Sequence, residues 1–382
     1  MKYLFSLLTI PFLSFYDGHP HDDNGDAPNE KYMIVGTYTG GKSEGIYVYR
    51  FNTTDGSSQE VSHIKSSNPS YLAISSNKKF VYAVNENHDN DNGGQVSAFS
   101  FDKKTGELTL LNQQHSMGDD PCYVELDKTG KWAFVANYSS GSFSIFPVRA
   151  DGRLGEASTT IRYKNEGLGT DKARQEKPHA HCAIVSPDNK WLYVSDLGTD
   201  RLMAYSFNAS TGKVVAAEPE FLSVNPGSGP RHLTFHPNGR YGYLIAELTG
   251  SVNVIKYQQG KLKIVQTNPT TTPGKQGFPG SADIHVSPDG KFLYASNRGD
   301  FNDIVVFGIN SSNGTLSNIG SISSMGKAPR NFNFDPTGKF LVVGNQDSDE
   351  IVVFQRDKKS GLLTDSEQRI GVGKPVCIKW LE

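Results

Sequence analysis

The sequence is poor in cysteine, with three in 382 residues, so they cannot all pair with one another. Cys122, Cys182 and Cys377 each fall early in an apolar run, where a thiol behaves as a small buried hydrophobe. We therefore expect packing residues at these positions, and neither a disulfide framework nor a nucleophile.

The sequence also lacks an excess of charge of either sign. Lys and Arg number 38 and Asp and Glu number 40, giving a net charge of −2. No basic footprint is available for nucleic acid or an anionic membrane, so neither is an expected partner. P-loop, nucleophile-elbow, HExxH and EF-hand patterns are missing too, and we expect no metal and no cofactor.

A long membrane-spanning run is absent, but a short apolar run stands near the N-terminus. The run from Tyr3 to Phe15 follows Lys2 and is shorter than the roughly 20 apolar residues that span a bilayer. Its length is typical of a secretory signal. We predict a signal peptide over residues 1–16 and a polar, disordered spacer over 17–30. The chain is then exported, either to the periplasm or out of the cell.

A repeat of about fifty residues occupies the rest of the chain. The stretch "YLAISSNKKFVYAVNEN" from Tyr71 recurs as "YVELDKTGKWAFVANYS" from Tyr123 and as "DIHVSPDGKFLYASNRG" from Asp283. Each copy continues into an alternating run and then a glycine hairpin such as "TGEL" or "NGTL". Four short antiparallel strands repeated at this period are the pattern of a β-propeller blade.

The two ends of the repeat complete a seventh unit. Residues 32–51 match the second and third strands of a blade without a first strand, and "PVCIKWL" at 375–381 is a first strand with nothing after it. Joining them closes the ring and removes the open sheet edge. We predict an all-β fold, a seven-bladed β-propeller over residues 31–382, closed by the C-terminal strand in the N-terminal blade.

Two columns of the repeat change residue type from blade to blade. The first strand of a blade lines the central channel, and its start lies at the same face as the end of the second strand. The column at the start of the first strand reads Ser70, Cys122, His181, Arg231, Ala282, Arg330 and Val376. The column after the second strand reads Tyr38, Glu86, Tyr138, Leu197, Glu247, Arg298 and Gln346. Adjacent polar positions are His179, Asn137, Asn297, Asp283 and Asn345.

These columns predict a site assembled from several blades at one mouth of the channel. The residues expected to converge there are His181, Arg231, Glu247, Arg298 and Arg330. The alternative is that channel-lining residues are wet and therefore free to be polar. A charged insertion at 162–178 should lie over the same mouth, with Arg174 as a candidate contact; a plain surface loop is the alternative.

At these residues the sequence resembles the seven-bladed propeller lactonase family, which includes propeller-type 6-phosphogluconolactonase and the fungal carboxy-muconate cyclase. The most specific stretches are "KPHAH", "GPRH" and "SNRG", and the resemblance covers residues 32–381. It implies a catalytic set of His181, Arg231, Glu247 and Arg298. One position departs from the family pattern: Ala246 replaces an Asn that could orient Glu247.

Lactone hydrolysis needs an activated water and positive charge where the oxyanion develops. We expect Glu247 or His181 to act as the general base, and Arg231 and Arg298 to stabilise the oxyanion and hold an anionic group. The substrate-binding candidates are His179, Arg330, Asn137, Asn297, Asp283 and Arg174.

The resulting hypothesis is a carboxylic-ester hydrolase acting on a sugar-acid lactone, in a monomer or a weak dimer. A lactonizing cyclase acting on an unsaturated diacid is the first alternative. A non-catalytic propeller that binds a sugar acid or a protein partner is the second. A panel of substrates distinguishes the lactone hydrolase from the lactonizing cyclase, and binding without turnover would identify the non-catalytic propeller.

Overall fold

The computed structural model describes residues 29–88, 93–272 and 274–381, and in these ranges 28 strands form seven four-stranded antiparallel sheets. The predicted seven-bladed, all-β propeller is confirmed. The predicted signal peptide and most of the predicted spacer lie outside the described residues. The first strand begins at Glu30, one residue before the predicted start of the propeller.

Each blade runs from an innermost strand at the channel to an outermost strand at the rim of the ring. Blade 1 contains β4 (Leu72–Ile74), β5 (Phe80–Asn85), β6 (Gln95–Asp102) and β7 (Glu107–His115). Blade 2 contains β8 (Pro121–Leu126), β9 (Trp132–Asn137), β10 (Ser142–Pro147) and β11 (Thr159–Arg162). Blade 3 contains β12 (Ala180–Val185), β13 (Trp191–Asp196), β14 (Arg201–Asn208) and β15 (Lys213–Ser223). Blade 4 contains β16 (Pro230–Phe235), β17 (Tyr241–Ala246), β18 (Ser251–Gln258) and β19 (Lys261–Pro269).

The last three blades follow the same order. Blade 5 contains β20 (Ser281–Val286), β21 (Phe292–Asn297), β22 (Asp303–Ile309) and β23 (Leu316–Ser323). Blade 6 contains β24 (Pro329–Phe334), β25 (Phe340–Asn345), β26 (Glu350–Arg356) and β27 (Leu363–Gly371). Blade 7 contains β28 (Pro375–Leu381), β1 (Glu30–Thr37), β2 (Gly45–Asn52) and β3 (Ser58–Lys65). Short 3₁₀ turns at Leu197–Thr199 and Gln346–Ser348 follow two second strands.

The seven innermost strands contact one another in a closed circle around the channel. The circle closes through β28, which pairs with β1 from Tyr32 opposite Leu381 to Gly36 opposite Cys377. This C-terminal strand also contacts β24 of blade 6 and β4 of blade 1. Each of the seven innermost strands therefore has a neighbour on either side.

Burial explains why the strand sequences differ across a blade. The second strands are apolar on both faces because each blade is covered by two others, as in the fully buried β21. The outermost strands meet solvent on one side, and β19 alternates exposed and half-buried residues along its length. The hydrophobic core thus lies between the blades rather than at the centre of the ring.

A glycine hairpin between the third and fourth strands of each blade packs on an aromatic ring of the preceding blade. At Gly212 the backbone φ is +72°, and an added Cβ would lie 2.4 Å from the ring of Trp132. The indole Nε1 of Trp132 donates to the carbonyl oxygen of Ala209 at 2.9 Å in the same hairpin. The recurring glycines are therefore required both by backbone conformation and by this close contact.

The three cysteines are free and buried, as predicted. Burial raises the pKa of Cys377 to about 11 and that of Cys182 to about 12, so both thiols stay protonated at neutral pH. None of the helical segments in the described ranges is long and apolar enough to cross a membrane.

Candidate active site

A cavity of about 470 Å³ occupies one mouth of the channel. Six of the seven residues in the column after the second strand line it: Tyr38, Glu86, Tyr138, Glu247, Arg298 and Gln346. The first-strand column contributes Cys122, His181 and Arg330. The structure thus brings together on one wall most of the positions that vary between blades.

The carboxylate of Glu247 is the centre of an ion-pair cluster. Its Oε1 lies 2.7 Å from Nη2 of Arg174, and its Oε2 lies 3.0 Å from Nε of Arg231 and 3.1 Å from Nη2 of Arg298. Burial by itself would raise the pKa of Glu247. The three guanidinium groups outweigh burial and hold that pKa at about 2, so Glu247 is an anion throughout the neutral range.

Arg231 lies behind Glu247 and is not among the residues that line the cavity, and its predicted contact with the substrate stays a prediction. It is 1 % exposed, and its Nη1 donates to the carbonyl oxygen of Ala282 and to Nε2 of His232 (3.3 Å). Nδ1 of His232 lies 2.8 Å from Oδ1 of Asp283, which fixes the ring so that Nε2 can accept from Arg231. Arg231 therefore holds Glu247 in place from the inner side.

Asp283 is buried inside the channel and is not among the residues that line the cavity, and its predicted contact with the substrate also stays a prediction. Its Oδ2 accepts from Nε2 of His285 at 2.9 Å and from Nδ2 of Asn331. Burial opposes the charged form, but His285 and His232 outweigh it and hold the pKa of Asp283 well below its usual range. Asp283 stabilises the channel beneath the cavity.

His181 lines the cavity as a neutral imidazole. Burial, followed by the nearby Arg231 guanidinium, lowers its pKa well below the ordinary 6.5. Nδ1 of His181 lies 3.8 Å from Sγ of Cys122, and the ring of Tyr138 meets it edge to face with centroids 5.5 Å apart. Since the pKa of the Cys122 thiol is raised by burial, His181 is the better proton acceptor of the two.

His179 supports the cavity wall from behind. Its ring stacks on that of Tyr138 with centroids 4.3 Å apart, and its Nε2 lies 3.1 Å from Oε1 of Glu176. It is 4 % exposed and does not line the cavity. The i, i+2 histidine pair thus separates into one ring that faces the cavity and one that fixes Tyr138.

The insertion before blade 3 reaches the cavity through Arg174. Nη2 of Arg174 donates to the hydroxyl of Tyr138 at 3.2 Å as well as to Glu247. The adjacent Gln175 is buried and anchors the insertion, because its Nε2 donates to the carbonyl oxygen of Leu197 and to Oδ1 of Asp200. The insertion is therefore tied to blades 2, 3 and 4.

Asn137 and Asn297 hold loops and are not among the residues that line the cavity, and their assignment as substrate contacts stays a prediction. Nδ2 of Asn137 donates to the carbonyl oxygen of Ser116, and Nδ2 of Asn297 donates to that of Thr270. Both oxygens belong to the loop entering the residue's own blade. The same position in blade 4 is Ala246, so its effect falls on a loop contact and not on the orientation of Glu247.

Blade 4 holds its entering loop in another way. The Asp200 carboxylate accepts from the backbone N–H groups of Gly227 at 2.6 Å and Gly229 at 2.8 Å. Comparison of the repeats did not reveal that Asp200 takes over the role of the missing Asn in blade 4, because Asp200 belongs to blade 3.

Across the described ranges, no group of three or more His, Cys, Asp and Glu side chains could hold a metal ion.

Arg330 lines the cavity on the side facing blades 7 and 1. Its guanidinium carbon lies 5.2 Å from the ring centroid of Tyr38, and its Nη2 lies 4.0 Å from Oε1 of Glu86. The hydroxyl of Tyr38 donates to the same Oε1 at 2.8 Å. Arg330, Tyr38 and Glu86 form a group that we call the Arg330 cluster. Tyr38 and Glu86 stood in the variable column but were not predicted as site residues.

The fold and the cavity define a seven-bladed propeller with a charged, partly buried pocket at its channel mouth. Residues 32–380 match the family model "Lactonase, 7-bladed beta-propeller". The chain belongs to this lactonase family, which confirms the predicted family and the prediction of a lactonase-type enzyme.

Named relatives cover nearly the whole propeller. The chain is 41% identical to the 6-phosphogluconolactonase of Formosa agariphila, over 89% of this chain and 96% of that protein. It is 37% identical to the 6-phosphogluconolactonase of Bacillus subtilis, over 92% of this chain and 99% of that one. The solved structure of the periplasmic gluconolactonase of Pseudomonas aeruginosa superimposes with a TM-score of 0.88 at 37% identity, over 92% and 99% of the two chains.

Proposed function

We propose that this protein hydrolyses a sugar-acid lactone in the cavity at the channel mouth. The observation that carries the proposal is the neutral imidazole of His181 on the same cavity wall as a carboxylate held by arginines. The names of the relatives, 6-phosphogluconolactonase and gluconolactonase, support the same reaction class.

In this proposal His181 accepts the proton of the attacking water. A general base must be unprotonated, and His181 meets this condition at neutral pH because its pKa is lowered. Both oxygens of Glu247 are already engaged by the guanidinium groups of Arg174, Arg231 and Arg298. For this reason the proposal gives the role of base to His181, the other candidate left open by the sequence.

Arg298 stabilises the oxyanion that forms when water adds to the lactone carbonyl. Its Nε donates to the carbonyl oxygen of Gly280 at 2.8 Å, and its Nη2 is held by Glu247, so the guanidinium is fixed at the cavity wall. Burial lowers the pKa of Arg298 to about 10, which leaves it cationic at neutral pH. Fixed positive charge where negative charge develops is an effective form of catalysis.

Acid release by the purified full chain tests the proposal. Glucono-1,5-lactone and its 6-phosphate are supplied separately, and their spontaneous opening is subtracted. We expect His181→Ala to lower kcat by about 10²- to 10⁴-fold, the usual contribution of a general base. Lys379→Gln, at the opposite mouth of the channel, is the matched control. Full turnover by His181→Ala, or no turnover of either lactone by the parent chain, would refute the proposal.

We also propose that the protein is exported. The support is the apolar run from Tyr3 to Phe15 and the periplasmic location in the name of the Pseudomonas relative. Fractionation of the host cells tests export, because retention of the whole chain in the cytoplasm would contradict it.

A further inference from the structure

The Arg330 cluster contains a donor group and an acceptor group that are both left unused. Arg330 has five N–H donors, its side chain is 17% exposed, and its nearest carboxylate oxygen is 4.0 Å away. Oε2 of Glu86 is buried and has no hydrogen-bond partner. Buried polar groups without partners are costly, so such a pair on a cavity wall calls for a ligand.

The positions of the two groups indicate what kind of ligand atom they suit. Tyr38 holds both of them, because its ring lies under the Arg330 guanidinium and its hydroxyl donates to Oε1 of Glu86. A guanidinium can only donate and a carboxylate can only accept. A hydroxyl group does both, so a hydroxyl between Arg330 and Glu86 would satisfy the two together.

The charge of the cavity does not favour a phosphate. Three guanidinium groups line it, from Arg174, Arg298 and Arg330, and three carboxylates line it as well, from Glu86, Glu247 and Asp347. The further positive charge of Arg231 lies behind Glu247, where its Nε donates to Glu247 and its Nη1 to the carbonyl oxygen of Ala282. A dianion beside Arg330 would also lie beside Glu86, and like charges at such distances repel strongly when partly buried.

We propose that the Arg330 cluster binds hydroxyl groups of the substrate's polyol chain, and that the preferred substrate is a sugar lactone without a phosphate. This inference rests on the proposed lactonase function and departs from the names of the 6-phosphogluconolactonase relatives. Glu86 and Arg330 are then specificity-determining residues on the wall that blades 1, 6 and 7 provide.

The ratio of kcat/KM for glucono-1,5-lactone to that for its 6-phosphate tests the proposal. We expect the parent chain to prefer the plain lactone by about tenfold or more, and Glu86→Gln to shift the ratio about tenfold towards the phosphorylated lactone, because a repelling charge is removed. A parent chain that prefers the phosphorylated lactone by tenfold would overturn the inference.

A lactone without hydroxyl groups provides the second measurement. For Glu86→Gln and Arg330→Met, we expect kcat/KM to fall at least about tenfold more for glucono-1,5-lactone than for δ-valerolactone. Equal losses on both would show that the cluster is merely structural. Circular dichroism checks that each variant is folded.

Failure of the lactonase proposal would be recognised separately. If neither lactone is turned over, calorimetry with gluconate and 6-phosphogluconate still decides the inference. Tighter binding of gluconate, weakened by Glu86→Gln, would support it, and tighter binding of 6-phosphogluconate would overturn it.

Discussion

At the scale of single residues, Glu247 and His181 both have lowered pKa values, but for opposite reasons. Burial favours the neutral imidazole of His181, and the neighbouring arginines add to that effect. Burial disfavours the anion of Glu247, and the same kind of arginine neighbours overcome it. One basic environment thus produces a neutral imidazole and a fixed anion in the same cavity, so the two groups can take different roles.

This separation predicts the pH dependence of turnover. Because His181 must be neutral to accept a proton and its folded pKa lies below 6.5, we expect the acid limb of kcat/KM to have its midpoint below pH 6.5. The measurement is a pH-stat profile from pH 4 to 8, corrected for spontaneous opening of the lactone. A midpoint at or above pH 6.5 would argue against His181 as the base.

Glu247 gives a separate prediction about stability. Its pKa falls from 4.5 to about 2 on folding, so its stabilisation is present above pH 4.5 and is lost as the pH falls towards 2. We expect the parent chain to lose about 3 kcal/mol more unfolding free energy than Glu247→Gln between pH 6 and 2.5. Denaturant titrations measure it, with Asp347→Asn at the cavity rim as the control. Parallel pH curves for the parent and Glu247→Gln would contradict the ion-pair cluster.

At the scale of strands and loops, some residues next to the cavity form hydrogen bonds that hold loops in place, and the sequence pattern does not reveal this role. Asn297 ends β21, immediately before Arg298 of the cavity wall, yet it lies within the blade. Its Nδ2 donates to Thr270 and Asp303, and its Oδ1 accepts from the hydroxyls of Thr270 and Ser281. Alternation along the chain therefore separates a loop-holding residue, Asn297, from one that lines the cavity, Arg298.

Substitution of these two neighbours should give opposite results. We expect Asn297→Ala to lower the unfolding free energy by about 1–3 kcal/mol, because buried partners lose their hydrogen bonds, with kcat changed by less than about threefold. Arg298→Gln should lower kcat by about 10²-fold or more with a smaller change in stability. Thermal unfolding and lactone turnover are measured for both. A large loss of kcat in Asn297→Ala at intact stability would instead support the predicted contact of Asn297 with the substrate.

The repeat explains how much of this was predictable. Variation between blades located the cavity wall, since Tyr38, Glu86, Glu247 and Arg298 occupy one column of the repeat. The pattern could not show that Arg231 turns behind Glu247, because that depends on contacts with the adjacent His232 and with Ala282 of the next blade. The position of a residue in the repeat specifies where its backbone lies, and packing between blades specifies the direction that its side chain takes.

At the scale of the whole molecule, every blade contributes to the cavity. At least one residue from each of the seven blades lines it, including Tyr38, Glu86, Tyr138, His181, Glu247, Arg298 and Arg330. The geometry of the site thus depends on closure of the ring, and closure depends on β28. The strand buries Ile378 and Trp380 against Met33 and Phe340 between blades 6 and 7.

Removal of β28 should therefore abolish the site and the fold together. Deleting residues 375–382 exposes the edge of β1 and removes the contacts of β28 with β4 and β24. It also takes away Cys377, whose Sγ accepts from the backbone N–H of Leu72 at 3.3 Å. We expect loss of cooperative unfolding, aggregation through the open edge and at least about a 10²-fold loss of turnover.

Lys379→Gln is the matched control for this deletion, because it changes the same strand at a half-buried position and leaves the buried residues in place. Its unfolding transition and turnover should remain close to those of the parent chain. Size-exclusion chromatography, calorimetry and lactone turnover are measured on all three proteins. A truncated chain that stays monomeric, unfolds cooperatively and keeps its turnover would show that a three-stranded seventh blade suffices, and that closure by β28 does not set the geometry of the cavity.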